Sequence, residues 1–165
     1  MYKKSDIAVC RSLWSELTQH HANLYGDKSI SGDDPGRGFD VYLERPDRKG
    51  TWIAELDGKP VGFAGLLLLI DEEGVGEIEP VIVTSEYRRQ GVGRELVKRI
   101  MREAGKAGAR FLSVRPVARN TSAFAFFVKL GFATLGHLDL FQDLSASSDR
   151  DWKAGILIHG KRLRY

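Results

Sequence analysis

The stretch RRQGVGR at residues 88–94 decides the fold, because it joins a strand pattern to a helix pattern. Apolar residues precede it in a predicted strand at 77–84, and an amphipathic helix pattern follows it at 91–107. Gly91 and Gly93 let the backbone come close to a ligand. The main-chain N–H groups that follow are the unpaired donors of a helix N-terminus, which attracts phosphate. The candidate phosphate ligands are Arg88, Arg89, Gln90, Gly91, Val92, Gly93 and Arg94.

Two known phosphate-binding motifs differ from this turn. It is not a P-loop, because no Gly-Lys-Ser/Thr triplet stands at the required spacing. It is not the dinucleotide-binding fingerprint, because Leu96 stands where the third glycine belongs. The stretch alone leaves one alternative open, a glycine turn with a solvated basic flank that holds no ligand.

Further strands and helices are predicted on both sides of the turn. Asp57-Gly58 separates two apolar runs and predicts a hairpin turn. The predicted strands are 51–56, 60–70, 77–84, 111–114, 132–144 and 155–159, with a turn at 71–74 and a serine-rich loop between the last two strands. The predicted helices are 6–24, a short one around 39–43 that ends before Pro46, 91–107, and 120–130 closed by a left-handed Gly131.

The order of these elements predicts an α+β fold. Helices come first, then an antiparallel meander, then β-α-β-α-β, which gives an α/β/α sandwich with helices on both faces of a mixed sheet. A chain of 165 residues is expected to form one domain, residues 1–165. Its composition, 42% hydrophobic and 28% charged, excludes a disordered chain.

Composition also limits the partners and the compartment. The single cysteine, Cys10, cannot form an internal disulfide, so a reducing, cytoplasmic setting is expected. The longest apolar run, residues 61–70, is too short to span a bilayer, so no membrane partner is expected. A net charge of +3 does not require a nucleic-acid partner.

A second block, NTSAFAFFVKLGF at residues 120–132, follows further along the chain. Together with Arg88-x-x-Gly91-x-Gly93 it resembles the paired motifs of the GNAT superfamily of N-acetyltransferases. The resemblance covers residues 51–132 closely. It implies the GNAT fold, whose mixed and mainly antiparallel sheet is splayed at its centre. It also implies acetyl-CoA as co-substrate and no metal.

The resemblance also implies how the donor is held. The backbone of the turn would bind the pyrophosphate, and the backbone of Val81, Ile82 and Val83 would pair with the pantetheine arm. Asn120 matches a side-chain contact to the pantetheine amide, and the alternative is that it caps its helix. Phe127 takes the place beside the cofactor where the family often has a tyrosine that protonates the leaving thiolate, and phenylalanine has no proton to give.

A carboxylate on the third strand is the family's usual base for removing a proton from the amine. Glu79 is the first candidate and Glu77 the second, with an exposed glutamate in an ion pair as the alternative for either. The two lie two residues apart, so they share a face unless a bulge intervenes. A backbone N–H near Val81 is the candidate oxyanion donor.

These features predict direct acetyl transfer to a primary amine in a ternary complex, since Cys10 on the first helix is a poor nucleophile. The acceptor stays open between a small amine, an amino acid, an aminoglycoside-like compound and a protein amine. A homodimer is compatible with the sequence. The rival interpretation is a catalytically silent acyl-CoA-binding or nucleic-acid-binding module on the same scaffold, and Phe127 favours it.

Overall fold

The computed structural model describes residues 1–69, 74–142, 144 and 152–165. The helices are α1 (Ile7–Tyr25), α2 (Arg37–Leu43), α3 (Val92–Lys106) and α4 (Thr121–Lys129), with 3-10 turns at Lys4–Asp6, Lys28–Ile30 and Ser85–Tyr87. The strands are β1 (Arg48–Leu56), β2 (Lys59–Leu68), β3 (Val75–Val83), β4 (Phe111–Ser113), β5 (Ala154–Ile158) and β6 (Lys161–Arg164). Ile70, the predicted turn at 71–73 and the serine-rich loop at 145–150 lie outside the described residues.

Strands β1, β2 and β3 form the predicted antiparallel meander. Asp57 and Gly58 connect β1 to β2 with φ values of 50° and 74°. Positive φ at both central residues gives the hairpin turn whose twist matches the strands, so the Asp-Gly prediction is confirmed.

The sheet opens between β3 and β4. The two strands are parallel and pair only from Val75 with Phe111 to Glu77 with Ser113, whereas β3 continues to Val83. The register on the other side of β3 shifts, because Ala64 pairs with Val81 but Leu66 pairs with Ile78. Residues 79–80 therefore form a bulge opposite Gly65, and the strand bends where it leaves β4.

Helices cover both faces of the sheet, as predicted. On one face, α3 packs Leu96, Val97 and Ile100 against a cluster that includes Leu66 and Ile78. On the other face, α1 and α2 bury the side chains Cys10, Leu13, Phe39 and Tyr42 with Phe63, Leu67 and Ile82 of the sheet. The α+β sandwich is confirmed, and the two apolar clusters hold β3 between helical layers.

The late strand expected at 132–144 is wrong within the described residues. Residues 133–142 have no regular secondary structure, and Leu138 and Leu140 are exposed. Apolar residues in alternation form a strand only where a partner supplies hydrogen bonds and a packed face. The strand expected at 155–159 does form, as β5, but it pairs with β6 in a separate sheet of two strands.

The first helix begins without a side-chain cap. Asp6 precedes α1 but makes no capping bond to it. Its carboxylate instead accepts a hydrogen bond of 2.7 Å from the N–H of Lys3. Among the described residues, none of the helices combines the length and the apolar character that a membrane span needs.

Candidate active site

The turn at residues 88–94 exposes main-chain donors. Arg89 has φ 62° and Gly91 has φ 90°, so the chain reverses before α3 begins at Val92. Within the described part of the chain, the N–H groups of Gly91, Val92, Gly93 and Arg94 have no hydrogen-bond acceptor. They form the positive end of a helix of fifteen residues, which is the arrangement that binds a phosphate group.

Side chains around the turn hold its shape. Arg88 Nε donates to the carbonyl oxygen of Val83 at 2.8 Å, and Gln90 Nε2 donates to that of Glu86 at 2.9 Å. Glu16 of α1 accepts from Thr84 Oγ1 at 2.9 Å, which ties the helix to the end of β3. The first part of the turn is therefore fixed before a ligand arrives.

A polar groove of about 490 Å³ lies between α1 and the turn. Glu16, Gln19, His20 and Asn23 line it from α1, and Arg88 lines it from the turn. Burial, and then the nearby Arg88 charge, lowers the pKa of His20. The groove therefore adjoins the turn and carries a histidine that favours its neutral form.

The open edge of β3 leads from this turn toward the bulge. Thr84 N–H donates to Val61 of β2 at 2.9 Å. Because neighbouring strand residues point their backbone groups to opposite sides, Ile82 faces β2 while Val81 and Val83 face the open edge. The Val83 carbonyl is taken by Arg88. The Val81 backbone therefore borders the gap between β3 and β4.

Glu77 is buried, with 3% exposure, at the point where β3 and β4 separate. Its Oε2 lies 3.1 Å from Arg115 Nη1, yet no group among the described residues is aligned to give that oxygen a hydrogen bond. Burial raises the pKa of Glu77, and the nearby Arg115 charge partly opposes that rise. A carboxylate whose pKa is raised by burial is a stronger base than an exposed one.

Glu79 has a different environment. Its side chain is 42% exposed and lies 3.3 Å from Arg45 Nη1. Arg45 also donates to both oxygens of Asp47, at 2.9 and 2.7 Å. We refer to these groups as the charge cluster: Glu77, Glu79, Arg45, Asp47 and Arg115.

The two glutamates point toward the α1–α2 face. Ile78 packs in the α3 cluster, so its neighbour Glu77 points to the opposite face. Val81 also packs against the α3 cluster although it is three residues beyond Ile78, because the bulge reverses the alternation. Both Glu79 and Arg45 influence the pKa of Glu77, so the two carboxylates share one site.

Asn120 and Phe127 occupy structural positions. Asn120 Oδ1 accepts from the Ala123 N–H at 3.0 Å and so caps α4, while its Nδ2 makes no hydrogen bond within the described residues. Phe127 is buried in the α3 cluster, with ring centroids 5.1 Å from Phe126 and 5.7 Å from Phe132. The cap leaves the Asn120 amide donor available, whereas the aromatic contacts place Phe127 in the core.

Other nucleophile and metal candidates do not join this site. Cys10 is fully buried, and burial raises its pKa to about 12, so its thiol stays protonated. Among the described residues, no group of three or more histidine, cysteine or acidic side chains is arranged to hold a metal ion.

Sequence reasoning missed three arginines that the fold brings to this region. Arg45 and Arg115 contact the two glutamates. Arg119, beside Asn120, stacks on Tyr25 at 4.7 Å and donates to the carbonyl oxygen of Leu24 at 3.4 Å. No local motif marks these arginines, although Arg115 and Arg119 stand close together just after β4.

Comparison with known proteins identifies the family. The sequence model of the Acetyltransferase (GNAT) family matches residues 10–132, so the chain belongs to that family. Ribosomal protein bS18-alanine N-acetyltransferase of Escherichia coli is 34% identical over 112 residues, covering 68% of this chain and 66% of that protein. An uncharacterised N-acetyltransferase of Methanocaldococcus jannaschii is 30% identical over 114 residues, covering 58% of this chain.

The chain spans about half the length of the M. jannaschii relative, 50% of that protein. Solved structures support the same fold. The aminoglycoside N-acetyltransferase AAC(6')-Iy in complex with CoA has a TM-score of 0.62 at 19% identity, covering 87% of this chain and 92% of that one. A ribosomal-protein-alanine N-acetyltransferase from Brucella melitensis has a TM-score of 0.62 at 20% identity, covering 79% and 80%.

Proposed function

We propose that the protein transfers an acetyl group from acetyl-CoA to a primary amine, directly and within a ternary complex. One observation carries the proposal. The unpaired N–H groups of residues 91–94 lie at the end of a strand whose outer edge is open. A diphosphate fits the first feature, and an extended amide-containing arm fits the second.

The donor would lie along β3 with its diphosphate on the turn. Val81 offers backbone groups to the arm, and Asn120 offers its free amide donor. Arg89 and Arg94 are exposed and add positive charge beside the diphosphate. These contacts would place the thioester near the bulge, close to Glu77 and Glu79.

Glu77 is the better supported base. It is buried, its pKa is raised, and one oxygen has no hydrogen bond among the described residues. Glu79, the first candidate from the sequence, is engaged by Arg45 and partly exposed. In the proposed step Glu77, directly or through a water, takes a proton from the ammonium group, and the freed nitrogen attacks the thioester carbon.

The oxyanion and the leaving thiolate need groups other than Glu77. A backbone N–H near Val81 stabilises the oxyanion as the carbon becomes tetrahedral. The C–N bond is complete in this tetrahedral intermediate, whose collapse breaks the C–S bond and releases the thiolate. Because Phe127 has no proton to give, the thiolate takes its proton from water or from the nitrogen that has added to the carbon, which is positively charged at that stage.

The acceptor is proposed only as a primary amine. One relative acts on an alanine of ribosomal protein bS18, and a structural neighbour acts on aminoglycosides. Both substrates carry amines, which supports this class without selecting a member of it. Glu77 and Glu79 are partly neutralised by two arginines, so the site does not rely on attracting a strongly cationic acceptor.

A second candidate is an acyl-CoA-binding protein without turnover. The observation that favours it is Phe127, which is buried at the position where the family often has a tyrosine that protonates the leaving thiolate.

Two assays separate the transferase from the binding protein. Acetyl-CoA at 100 times its Kd should stabilise the protein by about 2.7 kcal/mol in a thermal melt.

A free-thiol assay against small amines, amino acids, aminoglycosides and peptide N-termini then tests turnover. Thiol release with at least one amine is the expected result. Stabilisation by acetyl-CoA without thiol release from any amine would contradict the transferase and support the binding protein. No stabilisation would contradict both.

A further inference from the structure

The guanidinium groups around Glu77 are held very differently. Arg45 is fixed by both oxygens of Asp47 and also contacts Glu79. Arg115 follows β4, is 59% exposed, and has Glu77 as its ion-pair partner among the described residues. Arg45 therefore belongs to a rigid local network, whereas Arg115 acts on Glu77 alone.

The contact between Arg115 and Glu77 is electrostatic and leaves a site open. Their atoms are 3.1 Å apart, but Glu77 Oε2 receives no hydrogen bond from the described residues. A buried carboxylate without a nearby positive charge would be neutral at moderate pH. Arg115 thus places a positive charge beside Glu77 without donating a hydrogen bond to its Oε2.

We propose that Arg115 is a positioning residue for acetyl transfer, which holds Glu77 ionised and in place beside the gap between β3 and β4. This inference rests on the proposed function, in which Glu77 is the base. The charged groups that act on Glu77 come from three segments: Glu79 on β3, Arg45 and Asp47 between α2 and β1, and Arg115 after β4. Arg45 also acts on Glu77, but it shares its charge with two other carboxylates, so Arg115 is the stronger of the two cations at Glu77.

The sign of the effect follows from the charges. A neighbouring cation lowers the pKa of a carboxyl group, so removing Arg115 raises the pKa of Glu77 further. A larger fraction of Glu77 is then protonated at a given pH and cannot act as a base. The acid limb of the pH–rate profile therefore moves to higher pH.

The experiment compares Arg115→Met, Arg115→Gln and Arg115→Lys with wild type. Arg110→Met is the matched control, because Arg110 is also exposed and stands at the other end of β4. The pKa of Glu77 is read by NMR titration of ¹³C-labelled glutamate carboxyl groups, with the Glu77 signal assigned by its loss in Glu77→Gln. The pH dependence of kcat/KM is measured in parallel with the best amine from the thiol assay.

The expected result is a rise of about one pH unit in both the Glu77 titration and the acid limb for Arg115→Met and Arg115→Gln. That shift corresponds to about a tenfold loss of kcat/KM on the acid limb. Arg115→Lys keeps a positive charge, so its Glu77 titration and kcat/KM should stay close to those of wild type. Arg110→Met should equal wild type in both measurements.

Two results would overturn the inference. One is an unchanged Glu77 titration in both Arg115→Met and Arg115→Gln. The other is a shift in Arg115→Lys as large as that in Arg115→Met, because a lysine keeps the charge. Absence of acetyl transfer by the wild type would instead refute the proposed function, and the NMR titration would still decide whether Arg115 holds Glu77 ionised.

Discussion

The turn at residues 88–94 and the charge cluster differ in the chemical groups that form them. The turn presents main-chain N–H groups of consecutive residues, whereas the cluster joins side chains from three separate parts of the chain. The backbone conformation of the turn depends on where its glycines stand, and a sequence motif shows those positions directly. Side-chain clusters depend on the tertiary fold, and small changes in one arginine redistribute their charge. The turn can therefore be found from a short motif, whereas the charge cluster becomes visible only in the folded chain.

The strongest test of the cluster is replacement of each glutamate by glutamine. Glu77→Gln keeps the shape of the side chain but removes the base, so kcat should fall by about 10²–10⁴-fold. Glu79→Gln should cause a far smaller loss, because Glu79 is engaged by Arg45 at the edge of the site. Steady-state kinetics with acetyl-CoA and one amine give both values. A greater loss in Glu79→Gln would reverse the assignment.

The corresponding test of the turn is Gly91→Glu. The new carboxylate repels the diphosphate, and the left-handed backbone at φ 90° resists any side chain. Affinity for acetyl-CoA should fall by about 100-fold, or about 2.8 kcal/mol, in isothermal titration.

Gly58→Glu is its matched control. Gly58 also has positive φ, 74°, with open space around it, but lies in the β1–β2 hairpin. It should keep its affinity for acetyl-CoA despite the same backbone strain. If both variants bind acetyl-CoA equally well, the turn is not the diphosphate site.

The cluster should also reveal itself in the pH dependence of stability. Because burial raises the pKa of Glu77, its protonated form favours the folded state. That contribution is fully present below the unfolded pKa and is lost as pH rises through the folded pKa. Glu77→Gln should therefore melt at a higher temperature than wild type at pH 8, and the difference should shrink toward pH 4. A difference independent of pH would contradict the burial argument.

Asn120 offers the smallest effect and separates two roles. Asn120→Ala removes the cap on α4 and should cost about 1 kcal/mol in chemical denaturation. Asn120→Asp keeps an oxygen for the Ala123 N–H, so stability should be retained. If the amide also contacts the pantetheine arm, Asn120→Asp should still weaken acetyl-CoA binding. If Asn120→Asp binds acetyl-CoA as tightly as wild type does, Asn120 only caps α4 and does not contact the donor.

Local signals were readable from the sequence. Asp57-Gly58 forms its hairpin and Gly131 has φ 98° after α4, because both depend on backbone freedom at a single turn. The turn before α3 also forms where the spacing of Gly91 and Gly93 predicted it. In each case neighbouring residues are enough to determine the conformation.

Signals that depend on distant partners were not readable. The alternation of Leu138 and Leu140 predicted a strand, but nothing in those residues says whether a neighbouring strand is available. The preference for Glu79 over Glu77 rested on position in the strand, and the burial of Glu77 became visible only with the folded sheet. Arg115 has no motif at all, since its role depends on where β4 ends.

The most direct test of the central claim is a ¹H–¹⁵N NMR titration of the protein with CoA. The amide signals of Gly91, Val92, Gly93 and Arg94 should shift most, as these N–H groups exchange water for diphosphate oxygens. Signals of the β1–β2 hairpin should remain in place. If the four amides stay unchanged while other signals saturate, CoA binds elsewhere and the account of this turn is wrong.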